Sequence, residues 1–142
     1  MSSRKFWWSL VISWCILIFM LTALPAFTAT HTGVVLEHAT QMPVTQVGSA
    51  NLILRKCTHV TLFGILAVLL YKATGLNIQL AWIMATLYGA SDEIHQLFVP
   101  GRGSAMQDVA FDSFGAFLLL GVVVLIKRLT KRPQTRCLKM YK

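Results

Sequence analysis

Charge is scarce in this chain of 142 residues: Asp, Glu, Lys and Arg together make up 13% of it, while 56% is hydrophobic. A water-soluble domain of this length covers itself with polar groups, and too few are present to do so. Acid is scarcest, with five Asp and Glu in all. Cysteine is limited to Cys15, Cys57 and Cys137, with no CxxC spacing. Cys15 lies in an apolar run and Cys137 in a basic tail, so a secreted disulfide framework is excluded and all three read as structural or incidental. No HExxH run exists either. The net charge of +8 is not spread over an interleaved polar patch, which argues against a nucleic-acid partner.

What the chain does have is long apolar runs. Four stand out, at about 6–27, 58–76, 78–99 and 109–126. Each approaches the roughly 20 residues that carry a helix across the hydrocarbon core. A β-barrel needs at least about eight alternating segments, so strands are a poor alternative. The expected fold is all-α: one domain over 1–142, an integral membrane bundle of about four transmembrane helices. The first run is also conceivable as a cleaved signal, with Arg4 and Lys5 as its charged start and small residues near Ala26 and Ala29. Its apolar part exceeds the roughly 7–15 residues of such signals, and Trp7 and Trp8 suit an interfacial anchor, so a retained helix ending near Pro25 is expected.

Residues 28–54 read as the longest connection, with His31, Glu37 and His38 as plain loop residues. Orientation follows from the cations. Lys127, Arg128, Lys131, Arg132, Arg136, Lys139 and Lys142 crowd the tail 127–142, which suits anionic headgroups. With both termini inside, these seven join Arg4, Lys5 and Lys72 in the cytoplasm, against Arg55, Lys56 and Arg102 outside. That balance predicts an N-in, C-in, multi-pass protein of a bacterial inner or plasma membrane.

On that topology four of the five acids meet at the outer end of the bundle. Asp92, Glu93, His95 and Gln96 close the third helix, Asp108 and Asp112 open the fourth, and Lys56 and His59 lie near the start of the second. Asp92, His95 and Gln96 share a face, whereas Glu93 is turned about 100° to a neighbouring one. Lys56 and His59 share a face, as do Asp108, Asp112 and Gly115. An ionised carboxylate at the bilayer centre costs about 2.5–3.5 kcal/mol, less off-centre, so such a cluster needs a return. One return is structural, a polar network locking short helices together, with Asp108 and Asp112 capping the fourth helix. The other is a pocket that binds or transforms something at the outer leaflet.

The segment Ser91–Gly115, SDEIHQLFVPGRGSAMQDVAFDSFG, resembles the VanZ-like family of small membrane proteins. The family pattern is Asp-Glu-x-His-Gln, an aromatic, a Pro-Gly-Arg turn, an Asp and a glycine-rich helix, with an upstream Lys-x-x-His matched here by Lys56 and His59. Asp112 departs from it, since such proteins often carry Asn there. The resemblance implies, through the family's namesake, an association with resistance to the glycopeptide teicoplanin, with which the outward site expected from the charge balance is compatible. In a catalytic version Glu93, His95 and Asp92 supply acid/base groups, and Lys56, His59, Gln96, Arg102 and Asp108 bind substrate. The partners expected are membrane lipids and a lipid-linked cell-wall precursor. Ser91, Ser104 and Cys57 are weak nucleophile candidates. No cofactor follows from the sequence and no metal site is assigned; a metal version would use His59 and His95 with Asp92, Glu93 or Asp108. The competing function is a non-catalytic binder or accessory protein.

Overall fold

The computed structural model describes residues 3–24, 28–41, 43–99 and 106–130. Five helices account for nearly all of them, and no strand occurs among the described residues: α1 Ser3–Ala23, α2 Ala29–Thr40, α3 Val44–Ala73, α4 Ile78–Gln96 and α5 Met106–Thr130. Arg102 and the tail beyond Thr130 lie outside the described residues, as do Pro25, Ala26, Ser104 and Cys137.

One expectation is corrected. Residues 28–54 are not a loop: they form α2 and the first turns of α3. Their Thr, Gln, Ser and Asn content hides them from a search for apolar runs, yet such residues are tolerated in helices that pack on a neighbour. Here Thr32 of α2 donates its hydroxyl to Asn51 Oδ1 of α3 at 2.9 Å. Gln41 ends α2 in the left-handed region (φ 53°), its N–H returning to Glu37 O, and Pro43 precedes α3 with the fixed φ that suits a helix entry. The turn between α3 and α4 falls where the sequence places it. Gly75 and Leu76 both have positive φ, and Asn77 caps α4 by accepting from Leu80 N at 3.0 Å.

Three helices, α1, α3 and α5, are long and apolar enough to cross a membrane. At 1.5 Å per residue the 30-residue α3 is about 45 Å long, more than a hydrocarbon core of about 30 Å. The outward faces fit lipid, not water: Ile12, Ile16, Leu87, Phe117 and Leu125 are all exposed.

The core runs along α3, which touches every other helix. Phe63, Leu66, Ala67 and Leu70 of α3 pack with Ile18 of α1, Ala81 and Ala85 of α4, and Ala116 and Leu120 of α5. Small residues set the spacing. A Cβ on Gly115 would run into the backbone of Val60, 2.7 Å from its Cα. The crossing of α3 and α5 is therefore close enough to bring short side chains one turn away into direct contact.

Candidate functional site

Polar side chains collect where the C-terminal ends of α1 and α4 meet the N-terminal end of α5 and the middle of α3. From the close crossing at Gly115 two rungs join α3 to α5. His59 Nδ1 lies 2.9 Å from Asp112 Oδ1, both residues buried, and one turn away Lys56 Nζ lies 3.3 Å from Asp108 Oδ1, half-buried. Lys56 also sits 3.8 Å above the centre of the Phe111 ring. The spacings Lys56–His59 and Asp108–Asp112 are what align the rungs.

The third wall is α4, whose inner face runs Ala81, Ala85, Gly89 and then Glu93. The 100° turn between consecutive residues splits the carboxylates between two neighbours. Asp92 faces α1: Thr22 donates its hydroxyl to Asp92 Oδ1 at 2.7 Å, and Gln96 Nε2 donates to Asp92 Oδ2 at 2.8 Å. Glu93 faces inward, 3% exposed, and one of its oxygens lies within 4.8 Å of donor atoms on both His59 and Asp112. Gly89 makes room for this grouping, since a Cβ there would sit 3.0 Å from Asp112 Oδ2. That oxygen is buried and has no hydrogen-bond partner among the described residues.

His95 does not join His59. Its ring stacks at a tilt against Phe19 of α1, with 4.5 Å between centroids, and its buried Nδ1 has no partner among the described residues. The imidazole is thus on the Asp92 side of α4, and the donors that converge are His59, Glu93 and Asp112, not a His59–His95 pair. Ser91 and Cys57 are exposed, with the Ser91 hydroxyl donated to Tyr88 O at 2.7 Å, so neither points a nucleophile into the cluster. Two contributors escape a reading of the sequence. Thr22 lies in an apolar run and carries no signal of its role. Asp112, read as a helix cap, is the most deeply buried acid of the described residues, at 1% exposure.

Beside the cluster a mainly apolar cavity of about 320 Å³ opens between α1, α2 and α3. Leu21, Leu54, Leu62 and Phe63 supply apolar wall, Arg55 a cation, and His59 is common to the cavity and the buried cluster. Phe63 stacks parallel to the His59 imidazole, 12° off parallel with 6.1 Å between centroids, and so fixes the ring plane between the two. The site can present a cation and a carboxylate-oriented imidazole at the edge of an apolar recess.

A family model described as VanZ/LLP1 matches residues 6–127, which takes in all of the polar cluster. No curated protein and no solved structure matches this chain.

Proposed function

This chain belongs to the VanZ/LLP1 family, and on that premise we propose that its polar cluster acts on an envelope lipid or a lipid-linked cell-wall precursor at the outer face of a bacterial cell membrane. In this reading α4 is a fourth span beside α1, α3 and α5, and both termini are cytoplasmic, as the distribution of Lys and Arg favours. The observation that carries the reading is the sharing of His59 between the apolar cavity and the buried carboxylates. A lipid has the matching halves: an acyl or isoprenoid part for Leu54, Leu62 and Phe63, and an anionic head for Arg55, with Lys56 and Arg102 as further cations.

Roles follow from the contacts. His59, oriented by Asp112, and Glu93 beside it are the groups suited to move a proton. Asp92 is held by Thr22 and Gln96 and positions the end of α4, while Asp108 holds Lys56. His95, on the same face as Asp92, serves the headgroup from the α1 side. An effect on teicoplanin, a lipid-tailed glycopeptide, belongs to the same reading as a consequence of altering or masking its surroundings.

One observation favours a second reading, a non-catalytic binder of the same headgroup: the nucleophile candidates Ser91 and Cys57 are exposed, and the Ser91 hydroxyl is donated to Tyr88 O. The two part in one experiment. Cells expressing equal amounts of the native chain or its Glu93→Gln variant are compared by mass spectrometry of lipids and wall precursors. Catalysis changes a headgroup or precursor with the native chain alone. Indistinguishable profiles from two folded, abundant proteins refute lipid or precursor modification and leave the binder.

A further inference from the structure

We propose that His59, Glu93 and Asp112 form a binding site for a single divalent first-row metal ion, of which Zn²⁺ best suits the donors. Three observations combine. The first is the donor set: an imidazole and two carboxylates, from three different helices, with one ligand atom each, all within 4.8 Å of one another. A tetrahedral Zn²⁺ holding nitrogen and oxygen at about 2.0–2.2 Å separates its ligand atoms by about 3.3–3.5 Å. The 2.9 Å hydrogen bond between His59 Nδ1 and Asp112 Oδ1 has to lengthen by only about 0.5 Å as the metal replaces the shared proton, and side-chain rotation brings in the third donor.

The second is Asp112 Oδ2. It belongs to a side chain 1% exposed, it lies on the Gly89 side of α4 and it makes no hydrogen bond among the described residues. A buried carboxylate oxygen left without a donor is costly, and a cation beside it removes that cost. The third is the open side. With three protein ligands a fourth position remains, the pattern of metal sites that hold water or substrate, and His59 is the ligand that borders the cavity. The donor chemistry excludes the soft, thiolate-preferring ions, since Cys57 is exposed and Cys15 bonds through its carbonyl to Tyr88 elsewhere in the bundle. The wider set expected from sequence, with His95, does not assemble, because His95 packs on Phe19.

This inference deepens the reading of the same site and rests on it only for the face at which metal would enter. Its test uses no lipid, so it can fail while lipid binding or turnover stands, and the reverse. Full-length protein in detergent is stripped with a chelator and titrated with Co²⁺, read by visible absorption, and Zn²⁺ is then added in competition. The expected result is one ion per chain, with X-ray absorption at the zinc edge showing one imidazole and oxygen donors. Glu93→Gln, Asp112→Asn and His59→Gln should each weaken binding by more than about 100-fold, since each alters a ligand and the loss of a ligand's outer partner alone costs about 10–100-fold. His95→Gln should leave it unchanged, since that ring is not a donor. A folded, monodisperse native chain that takes up no ion overturns the proposal, and so does binding that survives all three substitutions. If the substituted chains lose their fold, the absorption spectrum of the native chain decides alone: several imidazoles, or sulfur, around the metal refute the site.

Discussion

Gly115→Ala is the most searching perturbation of the bundle, because the added methyl has nowhere to go. Its Cβ would meet the backbone of Val60, with Cα at 2.7 Å and the carbonyl carbon at 2.9 Å. Backbone cannot rotate aside as a side chain can, so α3 and α5 must separate. Overpacking of this kind costs about 1–3 kcal/mol, and rigid neighbours place this site at the upper end. Alanine regains about 1 kcal/mol through its better helix propensity. The net loss is about 2 kcal/mol, which for a chain of this size lowers the melting temperature by about 8 °C.

The same separation should also reach the site, since Val60 adjoins His59 and Gly115 lies one turn from Asp112. A lengthened His59–Asp112 contact loosens the donors, so metal uptake should fall with stability. Thermal unfolding in detergent, followed by tryptophan fluorescence, measures the first effect. Two controls calibrate it. Gly121→Ala meets nothing within 4 Å and should be neutral or slightly stabilising. Gly64→Ala meets the flexible end of Leu119 at 2.8 Å and a carbonyl oxygen at 3.0 Å, and should fall between. A Gly115→Ala chain as stable as the Gly121→Ala chain would refute the close crossing on which the site geometry depends.

The remaining predictions probe the cluster itself. Asp112→Ala leaves His59 in a buried pocket without its partner and should cost about 3–5 kcal/mol, read by the same unfolding assay; a change under about 1 kcal/mol would make the pair dispensable. Lys56→Ala should cost no more than about 1 kcal/mol, because the pair with Asp108 is 27% and 18% exposed and partly screened by solvent. Thr22→Val removes the 2.7 Å hydrogen bond to Asp92 while keeping the shape and should cost about 1–2 kcal/mol; no loss would mean that Asp92 is satisfied without α1. Glu37→Cys, exposed on α2 between the first two long helices, should react with a membrane-impermeant maleimide applied to intact spheroplasts when Cys15, Cys57 and Cys137 are replaced by Ser, and labelling only after permeabilisation would invert the proposed orientation.

Much of this architecture is legible in the sequence wherever apolar length is the signal. The third and fourth runs fall within a few residues of α4 and α5, and the first overlaps α1. The polar helix α2 and the early turns of α3 are invisible to that criterion, because they are stabilised by packing and by the Thr32–Asn51 bond rather than by an apolar stripe. At the site, helical periodicity alone places Asp92 and Glu93 on different faces of α4 and aligns Lys56 with His59 on α3. Pairing between helices is another matter. Nothing local to Thr22 or Gly89 says that one will bond Asp92 and the other make room for Asp112, since both facts depend on how α1, α4 and α5 cross α3.

The position of the acids along their helices separates structure from function within the cluster. Asp108 lies in the first turn of α5, where the positive end of the helix dipole favours a carboxylate by about 0.3–1 kcal/mol, and Asp112 lies one turn further in. The rung between Lys56 and Asp108 therefore has a structural explanation sufficient in itself. Asp92 and Glu93 lie in the last turn and a half of α4, at the negative end, where the same dipole opposes them. Asp92 recovers the loss through Thr22 and Gln96, and in doing so ties α4 to α1. Glu93 is turned instead toward Asp112 and His59, one of its oxygens lying within 4.8 Å of a donor atom on each. The proposed chemistry therefore concentrates on His59, Glu93 and Asp112, three buried residues that three different helices bring to one point, whereas Asp92 and Asp108 are accounted for by the helices they tie together.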